Sequence, residues 1–198
     1  MRAKNVALLA LFLLVPLSAC MSGAESGPFF KTALATRPGT FSANEATALI
    51  SQYRASHGLP PVTIDPTLTQ IATVHANRMA AADTMSHVLP GEGSFQQRLA
   101  AGGFQASMAA ENVAAGQPTL AAVLEAWRKS PGHNANLLLP NISKIGIALA
   151  LAEGSRYKYY WSLVLGERFV PPPGGPYGGP NGGPLVIRGS GGAIVEIH

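Results

Sequence analysis

Three stretches of the chain carry apolar residues at spacings of three and four, the mark of an amphipathic helix. The first holds Ala46, Leu49, Ile50 and Tyr53. It follows Ser42-Ala43-Asn44-Glu45, which has the spacing of a capping box, and Gly58 with Pro60-Pro61 ends it. The second opens on Asp65-Pro66, a cap followed by proline, and continues through Leu68, Ile71, Ala72, His75 and Met79. The third, over 119–127, places Leu120, Val123, Leu124 and Trp127 on one face. A shorter helix is predicted over 95–101. Ser130-Pro131 then starts another helix, with His133 in its first turn and Asn136 one turn further along the same face. The positive end of that helix disfavours imidazolium, so a neutral His133 is expected.

Residues 144–152 alternate around Ile145, Ile147, Leu149 and Leu151, and 157–165 are dense in aromatic and β-branched residues. Gly154-Ser155 between them predicts an antiparallel hairpin. Between His87 and Ala110 the chain is rich in Gly and short polar residues, a loop by composition apart from the helix at Phe95. Helices first and strands last predict an α+β arrangement of layers rather than a doubly wound parallel sheet.

The 47% hydrophobic content includes a segment that does not belong to this pattern. Arg2 and Lys4 precede an apolar run over 6–17 and then Leu17-Ser18-Ala19-Cys20, the order of a secretory signal. A Cys after Leu-Ser-Ala resembles the bacterial lipoprotein signal, which implies that Cys20 is acylated and anchors the chain to a membrane. It is the only cysteine, so no internal disulfide is available to it. The expected organisation is a signal peptide at 1–19, a tether at 20–41, a domain at 42–169, a Pro/Gly-rich linker at 170–184 and a tail at 185–198. In the tether, Phe29-Phe30 offers a docking pair. In the tail, Leu185-Val186-Ile187 and Ala193-Ile194-Val195 flank a Gly-rich turn and predict a short hairpin. Without the signal, basic residues fall from 14 to 12 against 10 acidic ones, a net charge of +2. With no clustered basic face, this argues against nucleic acid as a partner.

Three polar islands stand out: Ser86-His87, Glu111-Asn112, and Ser130-Pro131-Gly132-His133-Asn134-Ala135-Asn136. Their order and spacing resemble the CAP superfamily (cysteine-rich secretory protein, antigen 5, pathogenesis-related 1) in its bacterial branch. Tyr53-Arg54 with Gly58-Leu59, His75-Ala76 with Met79-Ala80, Arg98 with Gly102, Ile145-Gly146-Ile147-Ala148 and Tyr159-Tyr160-Trp161 extend the match over about 42–169. The resemblance implies an α–β–α sandwich with a short antiparallel sheet between helical layers. It also implies a cleft carrying two His and acidic partners, here His87, Glu111 and His133, with Asn112, Ser130, Asn136 and Glu92 in support. Such a trio suits a divalent metal such as Zn²⁺, or general acid–base work. The sequence departs from the family at two points. Trp127-Arg128-Lys129-Ser130 lacks the second Glu that many members carry after the Trp, and Ala110 replaces a Gly. The first departure predicts a weaker or absent metal site unless Glu92 or Asn136 contributes.

Other residues have plainer readings. His75, among apolar neighbours on its helix, is expected to be a hydrogen-bonded packing residue. His57 belongs at a helix C-terminus, and Trp127 and Trp161 in the core. Glu111 can hold loop amides or orient His133 without any substrate. Ser86 and Ser130 have turn and cap explanations, so no nucleophile is assigned. The function expected is a non-enzymatic, lipid-anchored module facing the periplasm or the cell exterior. Its cleft would bind a ligand, a protein partner or a lipid, with or without a divalent ion. The alternatives are a secreted hydrolase using the His/Glu cluster on peptide, lipid or wall polymer, and a structural surface module whose polar cluster only braces loops.

Overall fold

Ser42 opens the first helix, α1 (Ala43–Ala55), by accepting a hydrogen bond from the Glu45 amide. Gly58, at φ +72°, lets the chain turn away after its end. A two-residue strand, β1 (Thr63–Ile64), leads into α2 (Pro66–Ala81), where the Asp65 carboxylate caps the Thr67 and Leu68 amides. A full capping box between Ser94 and Gln97 starts α3 (Phe95–Ala101). The computed structural model describes residues 29–30 and 37–170, and the backbone of strands 185–188 and 194–197. The predicted signal peptide, Cys20 and the linker after Val170 lie outside the described residues.

The sequence reading of a loop before Ala110 is corrected by β2 (Ala106–Ala115), a ten-residue strand. Its run Ala-Ser-Met-Ala-Ala-Glu-Asn-Val-Ala-Ala is buried on both faces in its second half, which removes the apolar/polar alternation that marks a half-exposed strand. Then follow α4 (Leu120–Lys129) and α5 (Pro131–Leu137), sharing Ser130 as the residue between them. The predicted hairpin is β3 (Lys144–Leu151) against β4 (Tyr159–Arg168), antiparallel, with Ile147 opposite Leu163. The tail supplies β5 (Leu185–Arg188) and β6 (Ile194–Ile197), paired antiparallel with Leu185 opposite Ile197.

The strands form one sheet in the order β1-β3-β4-β2-β5-β6. Its centre is antiparallel as expected, but β1 lies parallel to β3 and β5 parallel to β2. Helices cover both faces. On one side Ile50, Tyr53, Leu120, Leu124 and Trp127 pack against Ile147, Trp161 and Leu163; Phe30 joins this core, edge-on to Phe29. On the other, Leu68, Met79, Phe95 and Leu99 pack against Val113, Tyr160 and Val164. The α2 backbone lies directly on Gly146 of β3, where an added Cβ would sit 2.1 Å from the Leu68 carbonyl carbon. The result is an α–β–α sandwich.

Candidate functional site

Successive side chains of a strand point to opposite faces, and β2 uses this to divide its two polar residues. Glu111 faces the layer of α2 and α3, whereas Asn112 faces the layer of α4 and α5. Both are buried, Glu111 at 1% exposure and Asn112 at 0%. A carboxylate so placed requires partners. Arg98 provides them from the apolar face of α3: its Nη1 donates to Glu111 Oε1 at 2.8 Å and its Nη2 to Oε2 at 2.9 Å, a bidentate pair. His87 Nδ1 donates to the same Oε2 at 2.9 Å. Burial pushes the Glu111 carboxyl up, but the His87 hydrogen bond, the Arg98 bonds and charge, and the charge of His75 outweigh it and hold the group below its ordinary value. Glu111 is therefore ionised, and its hydrogen bond with His87 places a ring proton on Nδ1, so that in the neutral tautomer Nε2 is the acceptor.

The backbone under His87 is held as firmly as its ring. Arg98 Nη2 also donates to the His87 carbonyl at 3.0 Å, and His75 Nε2 donates to the Ser86 carbonyl at 2.9 Å. His75 Nδ1 meets Glu92 Oε1 at 2.8 Å. His75 and Arg98 thus lie between the two buried acidic side chains, Glu92 and Glu111. The sequence reading of His75 as a hydrogen-bonded interior residue matches this geometry; its reading of Glu92 as a cleft side chain does not, because Glu92 stands behind His75.

From the opposite layer, α5 brings His133. Asn112 Nδ2 donates to the His133 carbonyl at 3.0 Å, and Asn136 Nδ2 donates to Asn112 Oδ1 at 2.9 Å and to the Glu111 carbonyl at 3.3 Å. The last bond matters to the sheet. Among the described residues β5 pairs with β2 at Met108, Ala109 and Ala110, and at Glu111 the backbone carbonyl is met by Asn136 of α5. Tyr53 Oη donates to Asn134 Oδ1 at 2.7 Å, and the buried Arg54 guanidinium binds the carbonyls of Leu137, Leu139 and Ile142 at the end of the helix. Partial burial, and then the repulsion His87 would exert when both rings are protonated, pull the His133 pKa below its usual value of 6.5, so its ring is neutral near pH 7. The direction agrees with the sequence expectation, while its main cause is burial rather than the helix end.

Two expectations for hydroxyls and carboxylates change. Ser130 occupies the cap position of α5, but its hydroxyl makes no cap bond; only its carbonyl accepts, from the Asn134 amide at 2.8 Å. Ser86 Oγ donates to the Val88 carbonyl and accepts from the Val88 amide, a local turn as read from the sequence. Glu111 orients His87, not His133. Both its oxygens are engaged by Arg98 and His87, so the trio His87, Glu111 and His133 does not fit a three-ligand metal set. Among the described residues no three of His, Cys, Asp and Glu are grouped to hold a metal ion. Arg98 is the site residue that sequence reasoning missed. Its signal was position: Phe95, Arg98 and Leu99 share one face of a short helix, and an arginine on an apolar face needs a buried acid.

The fold and the site together can be set beside known proteins. The model of the cysteine-rich secretory protein family, CAP, matches residues 47–165. The chain belongs to the CAP family. An uncharacterised protein of Bacillus subtilis strain 168, YkwD, is 35% identical over 112 residues, which cover 56% of this chain and 44% of that protein. A second one there, the uncharacterised membrane protein YlbC, is 30% identical over 121 residues, 61% of this chain and 33% of its own length. The chain thus spans less than half the length of these curated relatives. Among solved structures, an outer surface protein of Borrelia burgdorferi superposes with a TM-score of 0.56 at 24% identity, over 67% of this chain and 99% of that one. An extracellular protein containing an SCP domain from Bacillus anthracis gives 0.55 at 23% identity, over 66% of this chain and 45% of its own. At these identities the likeness is one of fold. Among the described residues no helix is long and apolar enough to cross a membrane.

Proposed function

We propose that this CAP domain is an exported binding module that recognises a ligand or partner through the cleft between His87 and His133, without catalysing its turnover. The carrying observation is the engagement of Glu111. With both oxygens held by Arg98 and His87, this carboxylate is neither a free base nor a free metal ligand. Its effect is to aim His87 Nε2 outward, next to a neutral His133. Two imidazole nitrogens so presented accept hydrogen bonds from a ligand's N–H or O–H groups. A divalent ion would have these two nitrogens as protein ligands and water for the remainder, a weak and exchangeable site. Export rests on the N-terminal signal and on the extracellular and outer-surface descriptions of the structural relatives. Anchoring through acylated Cys20 is part of the same reading.

Zn²⁺ serves as the probe for the paired imidazoles. Calorimetric titration is expected to give weak binding in the wild type and loss of it in His87→Ala and in His133→Ala. Equal affinities in all three proteins would remove both residues as the binding groups. The hydrolase reading draws on the His87–Glu111 pair, which has the form of an oriented general base, but Ser86 is tied into its own turn and supplies no nucleophile. Turnover of peptide, lipid-ester or wall-polymer substrates that disappears in His87→Ala would establish it in place of the binding reading.

A further inference from the structure

Part of the segment expected as a tether is fastened to α1 next to the helix that carries His133. Phe30 is 2% exposed and belongs to the core, and Phe29 is partly buried beside it. Both rings pack on Tyr53, Phe29 edge-on with centroids 5.0 Å apart and Phe30 tilted at 5.6 Å. A second docking point lies further along, where the Gly39 amide donates to the Pro118 carbonyl at 3.0 Å and Phe41 stands edge-on to Trp161 at 5.3 Å. We propose that the docked Phe29–Phe30 pair is a strap that positions His133, acting through Tyr53 on the first turn of α5.

The argument starts from how α5 is held. A helix of seven residues is too short to be stable by itself, and this one lacks a side-chain cap, since the Ser130 hydroxyl makes no cap bond. Its first turn is fastened from outside instead. Asn112 of β2 donates to the His133 carbonyl at 3.0 Å, and Tyr53 Oη donates to Asn134 Oδ1 at 2.7 Å. The far end is held separately, by the Arg54 guanidinium on the carbonyls of Leu137 and Leu139. Asn112 is fixed by the centre of the sheet, whereas the hydroxyl of Tyr53 reaches Asn134 from a ring that its neighbours keep in place. Three rings do so: His57 from the same helix, at 4.6 Å, and Phe29 and Phe30 from the tether.

A chain of contacts therefore runs from the tether to the cleft: Phe29 and Phe30 to Tyr53, Tyr53 to Asn134, and Asn134 to its neighbour His133. Release of the pair loosens the start of α5 and leaves its far end on Arg54. Such coupling is reciprocal, so a ligand that fixes His133 favours the docked pair. This consequence for a ligand rests on the binding role of the cleft given above. The experiment below reads α5 itself and needs no ligand, so the two can fail separately.

The test is NMR of the full ¹⁵N-labelled chain in detergent. Phe29→Ser takes away the partly buried ring of the pair, and Tyr53→Phe takes away the hydroxyl alone. Each is expected to speed exchange of the Asn134 amide about fivefold, the worth of one hydrogen bond, and to shift the His133 ring signal. The Leu139 amide, at the end that Arg54 holds, should keep its rate, and the His87 ring signal its position. Phe29→Trp should restore the wild-type values. Because both changes act through one hydroxyl, the double variant should exchange no faster at Asn134 than Tyr53→Phe alone. Phe41→Ser is the control, since it disturbs the tether at its other docking point; it should leave Asn134 and His133 unchanged. The proposal is overturned if Phe29→Ser or Tyr53→Phe leaves Asn134 and His133 as in the wild type, or if their effects simply add. It is equally overturned if Phe41→Ser produces the same change, which would make the pair ordinary core packing.

Discussion

Arg98 carries more of the site than either histidine. One guanidinium neutralises Glu111 and fixes the carbonyl of His87. Removing it leaves a buried carboxylate with His87 as its one hydrogen-bond donor, and a broken buried pair is worth about 3–5 kcal/mol. Urea denaturation of Arg98→Met should register a loss of that order. Arg98→Lys should recover little of it, because a single ammonium cannot reproduce the bidentate fork. The pH dependence has a definite sign. Glu111 and His133 both have folded-state pKa values below their ordinary ones, so the unfolded chain binds protons more readily than the folded chain. Stability contributed by His133 is complete above pH 6.5 and is lost as the pH falls through its lowered value; that from Glu111 goes at more acid pH. His133→Asn should flatten the first part of a stability–pH profile and leave the acid limb in place.

At the scale of elements, the helices were legible because each announces itself twice, by an apolar face and by a cap: Ser42, Asp65 and Ser94 are where the caps were expected or where a helix was predicted to begin. The hairpin of β3 and β4 was legible for the same kind of reason, an alternation joined to a turn. β2 was not. Alanine-rich and buried by two helical layers, it has neither the alternation of a half-exposed strand nor the β-branched density of a typical central one. The islands Glu111-Asn112 and His133 could be found by their polarity, but not the fact that one strand sends its two polar residues into different layers. Nor could periodicity reveal that β5 would pair parallel to β2, since that contact is made across a linker with no pattern of its own. The contact of α2 with Gly146 offers a direct check. Gly146→Ala would place Cβ against the α2 backbone at Leu68 and Thr69, where no side chain can yield. Overpacking of this kind should cost about 3 kcal/mol or more, read as a fall in the thermal midpoint.

For the whole molecule, the polar residues of the site come together because the two helical layers meet around one strand. His87 comes with the layer of α2 and α3, His133 with the layer of α4 and α5, and β2 sends Glu111 to the first and Asn112 to the second. Arg54 and Tyr53 extend the same bracing to α5 from α1. In this arrangement the acidic residue is an internal support. The engagement of Glu111 by Arg98 and His87 accords with the weaker metal site expected from the missing second Glu after Trp127. The most direct test is the protonation of His87, read from ¹⁵N-edited NMR of the imidazole rings. The account predicts that the neutral ring carries its proton on Nδ1, leaves Nε2 bare, and loses this preference in Glu111→Gln. A neutral His87 protonated on Nε2, or one indifferent to Glu111→Gln, would contradict it.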